Sequence, residues 1–260
     1  MKKWQQYSIK YKVLSVCSVL LVILIIAYWQ IGAERGWFNT ILLSSPSDIC
    51  KSFKALWGSG ALQKHILVSF KRVMIGYVSG AALGIIVGFM LSTMHSLDRL
   101  LSFLMGIIRP IPALALFPLF ILWFGIGEAS KIVVIAFMSF WPTFLNTEEG
   151  VRQADKNLLE LADALQKSRL TKMSTVLLPS TLPYIFAGLR LAISRAWGGV
   201  VVAEMLAASS GIGFLIEYSR DMSQTASMFV GVITIAIIGC TVDILLRVLQ
   251  NKICYWHEEV

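Results

Sequence analysis

The stretch NLLELADALQKSRLTKMSTVLLP, residues 157–179, reads as water-soluble helix, yet long apolar runs flank it on both sides. Asn157 stands where a helix N-cap belongs, and Glu160 three residues on would complete a capping box. Leu158, Leu161, Ala162 and Leu165 follow i, i+3, i+4, i+7 spacing and share one face, with Glu160, Asp163 and Lys167 away from it. A second short helix is predicted after Ser168, carrying Leu170, Met173 and Leu177 on one side. Pro179 and Pro183 then punctuate the entry to the next apolar run. Between residues 148 and 178 there are five acidic and five basic side chains. That balance argues against a helix lying on lipid, which would be strongly basic. An apolar ridge with mixed charges suits docking into a groove on another protein. The other reading is a helix that packs only beneath its own spans.

The surroundings are those of a membrane. Of 260 residues, 57% are hydrophobic and 15% charged, where soluble domains are about half apolar and about a quarter charged; the mean hydropathy is +0.72. A span needs roughly 20 apolar residues to cross about 30 Å of hydrocarbon. Six runs qualify: 14–31, 73–94, 100–124, 131–146, 184–206 and 228–249, the fourth being short unless it extends toward Glu128. The expected fold is therefore an all-α integral membrane protein of about six transmembrane helices with a polar insert at 147–183. The chain divides into an N-terminal segment 1–13, a first span 14–31, a connection 32–66, a core of five spans over 67–250 and a tail 251–260. The basic leader MKKWQQYSIKYK precedes a long apolar core with no clean small-x-small cleavage site, so an uncleaved span is expected. Within 32–66, SSPSD reads as a turn and ICKSFKALW as an amphipathic helix along the membrane surface.

The net charge of +8 does not point to nucleic acid, because basic residues beside spans are what the positive-inside bias produces. Lys2, Lys3, Lys10 and Lys12 put the N-terminus in the cytoplasm, and six spans return the C-terminus there. The 147–183 insert falls on the same side. Arg35, Lys51, Lys54, Lys64, Lys71 and Arg72 run against the bias in the first external connection. Cys17, Cys50, Cys240 and Cys254 are scattered and read as apolar filler or free thiols. His65, His95 and His257 are isolated, so neither a metal site nor any other cofactor of the chain's own is expected.

In the second span Gly76, Gly80, Gly84 and Gly88 recur every fourth residue on one helix face. Such a stripe lets a partner helix approach closely, either from this chain or from a second copy. The third span carries Pro110, Pro112 and Pro118, with Arg109 at its start. Proline breaks in membranes are tolerated where protein or water surrounds them, which suits either pathway lining or a packing kink. Ionisable groups in spans are functional hypotheses by default. Arg195 could meet an anion or pair with a carboxylate. Glu204 could cap an outer gate or support the turn at Ser209–Gly213. Asp243 and Arg247, spaced i, i+4, can pair with each other, and Arg190 can snorkel. The candidate pathway set is Arg109, Pro112, Arg195 and Glu204.

ELADALQKSRLTKMSTVLLP resembles the EAA loop of ABC importer permeases. That family pattern begins E-A-A, places a glycine four residues after the last alanine, and ends hydrophobic-x-Leu-Pro. Glu160 and Ala162 match its start; Val176, Leu178 and Pro179 match its end. RPIPALALFPLFILWFGIGEASKI, LPYIFAGLRLAISRAWGGVVVAEMLAASSGIGFL and SFKRVMIGY are similar to the nitrate/sulfonate/taurine branch, so the resemblance runs from about Pro46 to Arg247. It implies a bacterial plasma-membrane permease of the binding-protein-dependent, type I importer kind. The implied partners are ABC ATPase subunits, an extracytoplasmic substrate-binding protein and a second permease copy. The insert becomes the coupling helix, with Glu160, Leu161, Ala162, Leu165, Gln166, Ser168 and Pro179 as the coupling residues. One departure stands out: the family glycine falls at Gln166, so the turn is expected to form differently or to shift toward Ser168. No G-x-x-x-x-G-K-[ST] loop occurs, so ATP is expected on the partner and the chain is not itself an enzyme. The implied cargo is a sulfonate-, taurine- or nitrate-like anion or a vitamin precursor. The competing readings are a passive channel, a membrane scaffold without ATPase coupling, and an intramembrane enzyme. The last would need a catalytic cluster inside the spans, where no histidine lies.

Overall fold

The computed structural model describes residues 2–255, with side chains from Cys17 onward. The expectations for Lys2, Lys3, Lys10, Lys12 and His257 lie outside the described side chains. Among the described residues the chain is helical without a strand, and it divides into two units. Among these residues five helices are long and apolar enough to cross a membrane, and a sixth span exists if one bent pair is counted together.

The first unit takes the chain up to Leu62 together with Leu215–Val232. It holds α1 (Lys2–Glu34), α2 (Pro46–Gly58) and most of α10 (Ile212–Asp221). The SSPSD stretch is not a separate turn but the start of α2. Ser45 caps it by accepting the Asp48 N–H, and Pro46 opens the first turn, where its missing N–H costs nothing. The Lys51 ammonium and the Ser45 hydroxyl hold the Asp48 carboxyl below its usual range. Gln30 of α1 ties to this cap, accepting the Ser47 N–H at 3.0 Å. Ser52 meets Ser227 at 2.9 Å, and the rings of Trp29 and Phe229 lie 5.8 Å apart.

The second unit is Gln63–Phe214 with the chain from Ile233 onward. Its frame is α3 (Ala61–Thr93), α6 (Glu128–Arg152) and α9 (Leu178–Ala207), with α11 (Thr225–Ile253) alongside. The glycine stripe finds its partner inside the chain. A Cβ on Gly76 would lie 2.6 Å from the Ile135 Cβ, one on Gly84 2.7 Å from the Phe140 carbonyl oxygen, and one on Gly88 2.9 Å from the Thr147 Cβ; one on Gly80 would overlap the Ala136 carbonyl. The matched order makes α3 and α6 parallel. On its other side α6 runs antiparallel to α9, again through small residues. A Cβ on Gly150 would lie 2.8 Å from Thr181, and one on Gly188 2.9 Å from Asn146. Buried Ser139, Thr143 and Thr147 return their hydroxyls to carbonyls four residues back at 2.7–2.9 Å, so these three side chains bring no unsatisfied donor into the contacts. α6 also extends the predicted fourth span at both ends to 25 residues.

The predicted third span is not one helix. α4 (His95–Ile108) stops, and after a short 3₁₀ turn at Ala113–Leu116 the chain resumes as α5 (Phe117–Phe124), bent by 84°. Pro110 and Pro112 lack the N–H groups that a continuing helix would need. Pro118 falls in the first turn of α5, where it is tolerated. All four cysteines are free, and only Cys254 is buried.

The α3–α6 approach has a direct consequence. Gly80→Val is expected to destabilise the detergent-purified protein by at least about 2 kcal/mol through overpacking, read as a lowered thermal midpoint. Gly58→Ala, whose Cβ meets open space, should leave the midpoint within error.

Candidate functional site

Two features hold the chemistry: the polar insert and the arginines within the spans. The insert consists of α7 (Lys156–Ala164), α8 (Arg169–Lys172) and a π-helical turn, Met173–Leu177, that runs directly into α9. Its N-cap is Asp155, not Asn157. The Asp155 carboxylate accepts the Asn157 N–H at 2.8 Å, so the chain enters the helix two residues earlier than the capping-box pattern suggests. Ser168 caps α8 as expected, accepting the Thr171 N–H at 3.2 Å.

The turn between them resolves the departure at Gln166. The Lys167 N–H bonds the Ala162 carbonyl and the Gln166 N–H the Asp163 carbonyl, each at 2.9 Å. Gln166 has φ +50°. This is the Schellman arrangement, which requires a left-handed residue at the position after the C-cap. The turn has not shifted to Ser168; glutamine adopts the conformation that glycine would take there more readily. The Lys172 ammonium, bonded to Asp163, braces α8 against α7.

Of the expected ridge, Ala162 turns inward and is buried, while Leu161, Leu165 and Leu170 stand 55%, 61% and 78% exposed. Leu158 and Glu160 are also exposed, and Pro179 is half-buried at the start of α9. Three leucines this open on two short braced helices form an unpartnered apolar face.

The arginines of the spans sort into two kinds. Arg72 is buried on α3 and forks between two carboxylates. Its Nε and Nη2 donate to Glu128 at 2.6 and 2.5 Å, and its Nη1 donates to Glu204 at 2.8 Å and to the Ser210 carbonyl at 2.6 Å. Glu204, on α9, is fully buried. It also accepts the Ser69 hydroxyl at 2.8 Å and the Gly213 N–H at 2.9 Å. Ser69 in turn accepts the Ile212 N–H at 2.8 Å, and His65 Nδ1 accepts the Gly211 N–H at 3.0 Å. His65, Ser69 and Arg72 therefore present one face of α3 to the end of α9 and the 208–213 turn. Gly211 has φ +118°, and any Cβ there would strike the Glu204 carboxylate. Arg190 is the second paired arginine. Its Nε donates to Asp243 at 2.9 Å, while Arg247 stays 3.9 Å from that carboxylate. Asp243 thus bonds across to α9 in preference to its own helix, and Arg190 has a partner in place of a snorkelling path.

Arg109 and Arg195 are the other kind. Both line one cavity of about 320 Å³, together with Pro112, Phe137, Met138, Trp141 and Leu145, and no acidic residue lines it. Three of the four candidate pathway residues thus come together, and Glu204 sits apart in the Arg72 network. Arg72 and Glu128 were missed as site residues. In the sequence Arg72 falls among the basic residues of the first connection, and its spacing from His65 and Ser69 on one face of α3 is the available signal.

Residues 80–254 match the family described as binding-protein-dependent transport system inner membrane component. The chain is 39% identical over 241 residues to a putative aliphatic sulfonates transport permease protein of Bacillus subtilis (strain 168), covering 93% of this chain and 87% of the relative. It is 30% identical over 245 residues to the taurine transport system permease protein of Escherichia coli (strain K12), covering 92% and 89%. Among solved structures it resembles an inward-facing MetNI methionine ABC transporter chain, with TM-score 0.63, 18% identity, and 76% of this chain and 97% of that chain covered.

Two outcomes follow from the geometry. Arg72→Met strands Glu204 as a buried charge and is expected to cost about 3–5 kcal/mol. Arg72→Met/Glu204→Leu should recover part of that loss in the same thermal assay. At the insert, Gln166→Gly should hold or raise stability, whereas Gln166→Val should lose about 1–2 kcal/mol through its left-handed backbone, read by hydrogen exchange of residues 156–172.

Proposed function

The chain belongs to the family of binding-protein-dependent transport system inner membrane components, and from that premise we propose that it is the translocation subunit of an ATP-driven importer of small organosulfonates. It is a multi-pass membrane protein and a transport subunit. In the proposed assembly two copies form the pathway, separate ATPase subunits hold and hydrolyse ATP beneath them, and an extracytoplasmic binding protein delivers the cargo. Both termini and the insert face the cytoplasm. The chain carries no cofactor of its own.

The observation that carries this reading is the open leucine ridge of the insert, Leu161, Leu165 and Leu170, held in shape by the Schellman turn and the Asp163–Lys172 brace. An apolar helix face of this kind is what a groove on a partner recognises, with spaced leucines as anchors. The insert joins α6 to α9, which pack closely at Gly150 and Gly188. A partner that moves the ridge therefore moves both central helices together. The sulfonate assignment draws on the names of the relatives from Bacillus subtilis and Escherichia coli.

The test is affinity purification of the tagged chain in mild detergent, with mass spectrometry and an ATP-hydrolysis assay. A P-loop ATPase should accompany the wild-type chain. Leu165→Asp and Glu160→Lys should each reduce its recovery by about tenfold or more, with the variant chain still in the membrane at normal levels. Uptake that proceeds without nucleotide, from a chain that purifies alone, would instead favour a passive channel.

A further inference from the structure

Not every glycine in the spans is filled by a neighbour. Along α3 a Cβ would strike α6 at Gly76, Gly80, Gly84 and Gly88, whereas one on Gly198 of α9 or on Gly239 of α11 would find no neighbouring atom within 4 Å. Both of these glycines line a groove of about 530 Å³ where α9 and α11 run antiparallel, from Arg190 to Gly198 on one side and from Ile244 back to Ile235 on the other. Ile193, Trp197, Ile235 and Ile244 give the groove an apolar lining, and its charged residues, Arg190 and Asp243, stand together at one end. The α11 span is open along its length: 17% of it is buried, against 39–50% for the spans of α3, α6 and α9. A groove on this helix therefore faces the bilayer or a partner within it.

The charged end narrows the occupant. Arg190 Nε donates to Asp243 at 2.9 Å. Arg247, one turn further along α11, stays 3.9 Å from that carboxylate, beyond hydrogen-bond reach, and its side chain is 58% exposed. Two guanidiniums against one carboxylate leave one positive charge at this end, and α11 carries no other acidic residue. Along the rest of the groove no charged residue lines the space. An occupant that fits both parts is an amphiphile, with an anionic head for the arginines and an apolar chain for the groove. Basic pockets between transmembrane helices recognise anionic lipid headgroups in this way.

The dimensions suit one acyl chain. From Asp243 to Ile235 the groove runs about 12 Å at ~1.5 Å per residue, within the ~15 Å of hydrocarbon in one leaflet. Arg247 lies about 9 Å before the end of α11 at Ile253, and a long side chain there reaches the phosphate level by snorkelling. A helix from a second copy fits less well. Laid over this end, it would take Arg247 out of water without a new counter-charge: α3 has no acidic residue, and α1 has only Glu34, at its end. We propose that the α9–α11 groove is a binding site for an anionic phospholipid of the cytoplasmic leaflet. The phosphate sits on Arg247 beside the Arg190–Asp243 pair, and one acyl chain lies over Gly198 and Gly239. The choice of leaflet rests on the importer reading, which puts the insert, and with it the start of α9, in the cytoplasm.

The experiment is native mass spectrometry of the tagged chain, isolated with its accompanying subunits, delipidated in mild detergent, and titrated with dioleoyl phosphatidylglycerol or dioleoyl phosphatidylcholine. Phosphatidylglycerol is expected to bind at least about fivefold more tightly, the preference that one basic residue near an anionic headgroup supplies. Arg247→Gln should abolish that preference, and Arg99→Gln, at an exposed arginine of α4, should leave it unchanged. Gly198→Leu/Gly239→Leu fills the groove from positions that face open space and so spares the fold. It should weaken both lipids at least about fivefold by displacing the acyl chain. Equal affinities of the wild type for the two lipids overturn the proposal. So does a preference that survives in Arg247→Gln, and so does lipid binding unchanged in the leucine variant. Loss of the second chain copy from the leucine variant, with phosphatidylglycerol still bound, overturns it in favour of a helix in the groove. Recovery of the ATPase depends on the leucine ridge of the insert and not on this groove. Failure here with the ATPase still bound therefore leaves the importer reading intact. Loss of the ATPase from the wild-type chain counts against the importer reading and leaves the lipid site standing without its assigned leaflet.

Discussion

Where α3 passes α6 at Gly80, there is room for a hydrogen atom opposite the Ala136 carbonyl and for nothing larger. The rest of the core depends on that closeness. In a bilayer the lipid tails are as apolar as the side chains, so helices gain little from leaving them. Association rests on packing and on polar contacts across short gaps. Four glycines at every fourth position of α3, and serine or threonine at 139, 143 and 147 of α6, keep the two backbones together over several turns. Gly150 and Gly188 repeat the arrangement between α6 and α9. A core this tight leaves neither helix room to shift without displacing the other.

Charge is arranged on this frame by a consistent rule. At one end, Arg72 binds the first residue of α6 and a buried glutamate near the end of α9, and so joins the three central helices. Arg190 and Asp243 join α9 to α11. These pairs satisfy cations that would otherwise be costly to bury, and they hold helices in register. Arg109 and Arg195 have no such carboxylate among the described residues. They sit where the α4–α5 segment breaks and where α6 is widest in aromatic side chains. Burial alone does not sort these charges by role, since Glu204 is the most buried charge among the described residues and belongs to the framework.

Much of this was legible in the residues themselves, and the parts that were not share a cause. Apolar runs located the spans, and the i, i+4 glycines located a packing face, because both depend on composition along one helix. The ridge of the insert was readable for the same reason. The pairing of Arg72 with Glu128 and Glu204 was not readable, since it joins residues 56 and 132 positions apart. The 84° break in the third span could be anticipated as a kink from Pro110 and Pro112, but its angle depends on how α5 packs against Phe137. Asp155 displaced Asn157 as the cap because both are good caps and local pattern cannot rank them. Gln166 is the instructive case. The sequence showed a missing glycine, whereas the backbone shows that the glycine's conformation has been kept.

That retained conformation bears on how the insert could act. A Schellman turn satisfies the last carbonyls of α7 and sends the chain into α8 along a defined direction, so the two short helices form a bracket and not a flexible loop. The bracket is braced by Lys172 and continues without a break through Met173–Leu177 into α9. At its other end it follows directly from α6. A force applied to Leu161 or Leu165 therefore reaches the two helices that supply Trp141 and Arg195 to the cavity. Because α6 and α9 pack closely at Gly150 and Gly188, such a force acts on the two helices as a pair. The cavity lies beside that pair, at the Pro110–Pro112 break of the third span.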